Sequence, residues 1–214
     1  MTRVLLTGFA PFEGESLNPS WQAVRAAAAE PPAGIEASAI ELPCVYGASI
    51  AVLRAAIEEV RPEIVVCVGQ AGGRPDITVE RLAVNVDDAR IPDASGAEPI
   101  DEAIVPGGPA AYFSTLPIKA CVAAVRAAGL PASVSNTAGT FVCNHVFYGL
   151  AHLIATELPG MRGGFVHVPY APEQVVERSQ PSLPSEAVTR ALHEIALTAA
   201  RTRTDIRVAG GATH

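Results

Sequence analysis

Four cysteines (Cys44, Cys67, Cys121, Cys143) and five histidines are the side chains of this 214-residue chain best suited to nucleophilic or metal chemistry. The cysteines stand far apart and form no CxxC pair, and no histidine lies at zinc-ligand spacing to a cysteine pair. Neither a zinc site nor a disulfide framework is indicated. Cys143 differs from the others by context. It follows a short β-rich run (132–135) and a Gly-containing loop (135–140), and it opens an apolar helical stretch. A thiol at a helix start faces backbone N–H groups without internal partners and the positive end of the dipole, which favour thiolate. The same N–H groups are suited to holding an oxyanion. Cys67, inside IVVCV, and Cys121, on the apolar stripe of a helix, read as small core residues.

A thiol nucleophile needs an imidazole within hydrogen-bond reach. His145 is nearest in sequence, but residues two apart on a helix point away from each other. His152 lies further down that helix, His193 is on the last helix, and His214 ends the chain. His167, in GFVHVP, stands at the carboxyl end of a buried strand and is the expected general base. A third group should fix the imidazole tautomer. Asp76, Glu80, Asp87, Asp88 and Asp93 are the candidates. If 77–86 is one regular strand, Glu80 shares a face with Leu82, Val84 and Val86, where a carboxylate needs a partner. A purely structural alternative pairs Glu80 with Arg81 or Arg90. Spacing alone leaves the acid open.

These residues must be positioned by a sheet. Short apolar runs (4–9, 37–42, 64–68, 77–86, 132–135, 164–168) alternate with helical stretches (19–29, 48–60, 117–128, 144–157, 185–201). That alternation predicts an α/β domain with a mostly parallel sheet and helices on both faces. Asn18-Pro19-Ser20 starts the first helix, Arg61-Pro62 stops the second, and Pro117 suits a helical first turn. No repeat or linker divides the chain, so residues 1–214 are expected to form one domain with a loose tail after about Thr204. In such sheets ligands bind beyond the carboxyl ends of the strands. The segments expected at those ends are TGFAPFEG, GQAGGR, VNVDDARIPD, NTAGTFVCN and HVPY. GQAGGR fits neither GxGxxG nor GxxxxGK[ST], so it reads as a bare-backbone loop that admits a substrate rather than a phosphate cradle. Phe9, Phe12, Phe141 and Val142 converge near Cys143 and suit a small apolar pocket.

Composition narrows the function class. Hydrophobic residues make up 49%, charged residues 17% and aromatics 5%, which fits a packed core built from Ala, Val, Leu and Ile. The net charge is -7, from 15 basic and 22 acidic residues, and no basic run suggests nucleic acid or an anionic membrane as a partner. The amino terminus lacks a signal-peptide pattern and no apolar stretch approaches the ~18 residues of a membrane span. A cytoplasmic location is expected.

The chain resembles the pyrrolidone-carboxylate peptidases, also called pyroglutamyl peptidase I, a cysteine peptidase family. The resemblance rests on TGFAPFEGESLNPS, LPCVYG, VGQAGGRPDITVERLAVNVDDARIPD, YFSTLPIKA, SNTAGTFVCNHVFYGL and GFVHVPYAPEQ, in order from Thr7 to Gln174. It implies hydrolysis of the amide bond after an N-terminal pyroglutamyl residue of peptides, through a thioester acyl-enzyme. It also implies a catalytic triad of Glu80, Cys143 and His167, and so selects one acid among the five. The implied pocket has walls of Phe9, Phe12, Ile91, Phe141 and Val142, with the Gln70 backbone on the lactam and Arg90 beside the oxyanion site. Cys44 stands where the family usually carries Thr, close to the pocket. The implied architecture is a single-domain three-layer α/β/α sandwich with a twisted, mostly parallel central sheet, assembled as a homotetramer without metal or cofactor. Two other classes compete: a phosphorolytic nucleoside enzyme or other α/β hydrolase of related architecture, and a silent protein that only binds pyroglutamyl peptides.

Overall fold

The computed structural model describes residues 1–211; residues 212–214, including His214, lie outside the described residues. Eight strands and five helices follow one another as β1 (Thr2–Phe9), α1 (Pro19–Ala29), β2 (Ile35–Leu42), α2 (Ala48–Val60), β3 (Ile64–Gln70), β4 (Ile77–Glu80), β5 (Leu82–Val84), β6 (Ala111–Phe113), α3 (Ile118–Ala127), β7 (Ala132–Ser135), α4 (Val142–Thr156), β8 (Arg162–Val168) and α5 (Ser185–Arg201). Six strands form the central sheet in the order β2-β1-β3-β8-β4-β7. The first four are mutually parallel, β4 runs antiparallel to β8, and β7 is parallel to β4. The expected α/β sandwich is present, with its sheet mostly parallel.

Strand alternation divides the interior into two cores. Val4, Leu6, Val66, Val68, Val79 and Val166 point to one face, where they pack with α1, α3 and α5. Leu5, Phe9, Val65, Cys67 and Phe165 point to the other, under α2 and α4. The same two-residue period puts Gly69, Thr78, Glu80 and His167 on the α4 face. Sheet parity thus sends the candidate acid and base toward the helix that carries the candidate thiol.

The 77–86 run is not one strand, and this corrects an expectation. The chain turns at Arg81, whose N–H donates to Ser135 O (2.8 Å) and whose carbonyl accepts from Ser114 N (2.8 Å). Leu82–Val84 then pairs with Ala111–Phe113 in a separate two-stranded ribbon. The fully buried Asn144 of α4 captures that ribbon: its Oδ1 accepts from Val84 N, and its Nδ2 donates to Val84 O and Val86 O. Glu80 therefore shares its buried face with Thr78, not with Leu82, Val84 and Val86.

The segment after Thr204, expected to be loose, is tied at two places. Asp205 accepts from Lys119 N (3.0 Å) and Ala120 N (2.9 Å), capping the first turn of α3, which has no acid of its own. Further on, Gly210 O accepts from Arg81 Nη2.

Candidate active site

Cys143 is the second residue of α4, after the N-cap Phe141, which makes no side-chain cap. The first N–H groups of the helix have no intrahelical acceptor. The thiol lies directly over β3. A Cβ at Gly69 would stand 2.8 Å from Cys143 Sγ and 2.9 Å from the Phe165 ring, so only a bare backbone lets the helix approach this closely. Gly69 is in register with His167 on β8. Sγ is thereby brought beside the imidazole by sheet geometry.

His167 is 3% exposed, with its ring against Phe165 (centroids 4.8 Å apart). Its Nδ1 lies 2.8 Å from Oε1 of Glu80, a fully buried carboxylate. The acid reaches it because His167 is in register with Thr78, two residues from Glu80 on antiparallel β4. Nε2 makes no hydrogen bond among the described residues, so a neutral ring with its proton on Nδ1 presents a free lone pair.

Two of the other candidate acids, Asp87 and Asp93, have their carboxylates engaged elsewhere, and neither Asp76 nor Asp88 is bonded to His167. Asp87 pairs with His145, and Asp93 accepts from Tyr46, Ser95 and Ala97 to fold its own loop. Asp88 lines the cavity at the thiol, but its backbone N–H and carbonyl are both engaged by Thr140. Geometry alone pairs only Glu80 with His167.

Two titrations follow from these surroundings. Burial opposes ionisation of Glu80, but the hydrogen bond from His167 and the charge of Arg74 hold its carboxyl below the ordinary value. Burial pushes the Cys143 thiol well up, reinforced by Cys44 and Glu80 and opposed by Arg74. That rise opposes the preference for thiolate expected from the helix start. Burial also pushes Cys44, Cys67 and Cys121 up to about 12.

A cavity of about 630 Å³ opens above the thiol. Phe9, Phe12, Ile91, Phe141 and Cys44 are on its wall, along with Gln70, Arg90, Cys143 and His167. Phe12 packs on Phe141 (5.7 Å) and Tyr46 meets Phe141 edge-on (5.6 Å), so the aromatic wall is braced from behind. The Gln70 side-chain oxygen accepts from Gln174 Nε2 (3.0 Å). Val142 departs from expectation. Its side chain is fully buried in the core beneath α4 and is not on the cavity wall.

The remaining described histidines are bonded elsewhere. His145 bonds Asp87 and Gly47 N, His152 bonds Tyr112, and His193 bonds Ala27 O. Among the described residues no cluster of three His, Cys, Asp or Glu side chains could hold a metal ion, and no helix is long and apolar enough to cross a membrane.

Arg74 is the site residue that sequence reasoning missed. It, rather than Arg81 or Arg90, is the ion-pair partner of Glu80, at 2.6 Å. Arg81 bonds Asn136 instead. The available signal was a lone arginine six residues before the acid, in the Gly-rich loop.

Residues 2–203 match the family model for pyroglutamyl peptidase. The chain belongs to the pyroglutamyl peptidase family. It is thereby a cysteine-type omega peptidase, and neither the phosphorolytic nor the silent-binder alternative is favoured. It is 64% identical to a pyrrolidone-carboxylate peptidase of Streptomyces coelicolor and 56% identical to one of Cupriavidus necator, each over the full length of both chains. Among solved structures, it is similar to the Bacillus amyloliquefaciens pyroglutamyl peptidase I (50% identity, TM-score 0.96, 97% of this chain and 99% of that one). It is likewise similar to the Thermococcus litoralis pyrrolidone carboxyl peptidase (36% identity, TM-score 0.92, 98% of this chain and 100% of that one).

Proposed function

We propose that Cys143 is the nucleophile, His167 the general base and Glu80 the carboxylate that orients it, in removal of N-terminal pyroglutamyl residues from peptides. One observation carries this reading: the imidazole is bonded at Nδ1 to a buried carboxylate while its other nitrogen is free beside a thiol seated on Gly69. His167 Nε2 takes the thiol proton as sulfur bonds to the pyroglutamyl carbonyl carbon. The oxyanion is held by the Cys143 N–H, with Arg90 beside it. When the C–N bond breaks, the leaving amine takes the proton from His167. Water, deprotonated by the same ring, then cleaves the thioester and frees pyroglutamate and the thiol.

The pocket suits this substrate. A pyroglutamyl group has no free ammonium, so a carboxylate anchor would gain nothing. Phe9, Phe12, Ile91 and Phe141 provide an apolar slot, and the Gln70 backbone meets the lactam. Cys44 gives a weaker donor than the hydroxyl usual at its position. Val142 contributes through its place in the first helical turn rather than as a wall.

The two cores share one sheet, which supports a single catalytic domain. A reducing, cytoplasmic setting suits an unprotected nucleophilic thiol and four free cysteines. We adopt the family's homotetramer as the proposed assembly; exposed Ile100 and Phe113 offer apolar surface for it. The reading is tested by iodoacetamide alkylation mapped by mass spectrometry, alongside hydrolysis of pyroglutamyl, prolyl and alanyl reporters. Labelling of Cys143 that a pyroglutamyl analogue blocks, with only the pyroglutamyl reporter cleaved, is expected. Inhibition that tracks Cys44 or another cysteine would refute it.

A further inference from the structure

One oxygen of the buried Glu80 serves two donors. His167 Nδ1 lies 2.8 Å from Oε1, and Arg74 Nη1 lies 2.6 Å from the same atom. Oε2 has no partner among the described residues. The guanidinium is itself fixed: Nη1 also donates to Thr78 Oγ1 (2.6 Å), and Nη2 donates to Thr137 O (3.1 Å). Its anchors are therefore the strand that carries the acid and the loop that leads into Cys143. Nη1 thus spends both of its N–H groups on the acid and its strand, and Nη2 spends one on the loop, although Arg74 also reaches the cavity wall.

An arginine here has a consequence for the proton. A fully buried carboxylate with only an imidazole for a partner gains strongly by capturing a proton onto the pair. That proton would occupy the nitrogen that must accept the one from the thiol. A fixed positive charge at 2.6 Å favours the ionised carboxylate and lowers what the pair gains from that proton. Arg74, from the loop after β3, is the charged group besides His167 that acts on Glu80, and Cys143 at the head of α4 is flanked by Cys67 on β3 and Cys44 from the loop after β2. Asp88, Arg90 and Tyr170 line the cavity that His167 and Cys143 share, and Arg74 is the cation bonded to the pair. It is 29% exposed, so its own charge keeps contact with solvent.

We propose that Arg74 is a positioning residue of the peptidase reaction, holding Glu80 ionised and aligned so that His167 stays free to take the thiol proton. This rests on the triad assignment above. The carboxyl of Glu80, lowered despite complete burial, agrees with it.

The test is a pH series of kcat and kcat/KM on a pyroglutamyl-amide reporter for wild type, Arg74→Gln, Arg74→Lys, Glu80→Gln and the double variant Arg74→Gln/Glu80→Gln. Arg74→Gln, which keeps donors and drops the charge, should lose about 10- to 100-fold in kcat with little change in KM. Its acid limb should move up by about one pH unit. Arg74→Lys should recover part of both, since it keeps the charge but not the fork. In the Glu80→Gln background, Arg74→Gln should cost little more. A loss that appears in KM with an unmoved acid limb, or that persists in full without Glu80, overturns the proposal while leaving the triad intact. Wild-type activity in Glu80→Gln would instead sink the triad reading and this proposal together. If Arg74→Gln does not fold, Arg74→Lys decides through its kinetics: a loss confined to kcat supports the proposal, and a loss in KM or none at all overturns it.

Discussion

Two histidine–carboxylate pairs lie within one core, and they differ in a single nitrogen. His145 and Asp87 are each 6% exposed and meet at 2.8 Å through Nδ1; His167 and Glu80 are buried deeper and meet at the same distance through the same atom. In each pair one carboxylate oxygen has no partner among the described residues. At His145, Nε2 accepts from Gly47 N (2.9 Å) and the ring is consumed as a brace between α4 and the loop before α2. At His167, Nε2 is left free beside Sγ. A buried carboxylate–imidazole pair is therefore not by itself catalytic machinery. What the second nitrogen faces decides its use.

This contrast can be broken by substitution. His167→Ala is expected to lower kcat by at least about 10³-fold with the fold retained, because the base acts as one unit with the thiol. Activity within a few-fold of wild type would remove the distinction between the pairs. Gly69→Ala should come next, with about 10²-fold lost in kcat, since the new methyl must displace Sγ or the Phe165 ring. A crystal structure of that variant with Sγ unmoved and full activity would show that the close approach is dispensable. His145→Ala should show the smallest kinetic effect and the largest structural one. Leaving Asp87 and Gly47 N–H without their partner costs about 1–3 kcal/mol in denaturant unfolding. If His145→Ala were fully stable but inactive, the roles of the two histidines would have to be exchanged.

Much of this was legible in the chain. Helix Ala48–Val60, strand Ala132–Ser135 and helix Ser185–Arg201 fall where periodicity and the Pro and Gly punctuation put them. The helix-start thiol and strand-end histidine were also readable, because both depend on local order. Strand direction was not. A strand buried on both faces, such as Ile77–Glu80, shows the same apolar pattern whichever way it runs. Its antiparallel course is what carries Glu80 to His167. The break at Arg81 was hidden too, since its cause is Asn144, about sixty residues away in sequence. Arg74 went unnoticed because a long side chain in a Gly-rich loop can reach many acceptors, and only the folded loop selects Glu80. The burial that pushes the thiol up was hidden for a related reason: a helix start is visible in sequence, whereas what packs over it is not.

The account stands most directly on the sulfur of Cys143. Purified Cys143→Ala, shown to be folded by its circular dichroism and thermal melt, should hydrolyse a pyroglutamyl-amide reporter about 10⁴- to 10⁶-fold more slowly than wild type. A folded Cys143→Ala protein that retained activity near the wild-type level would contradict it.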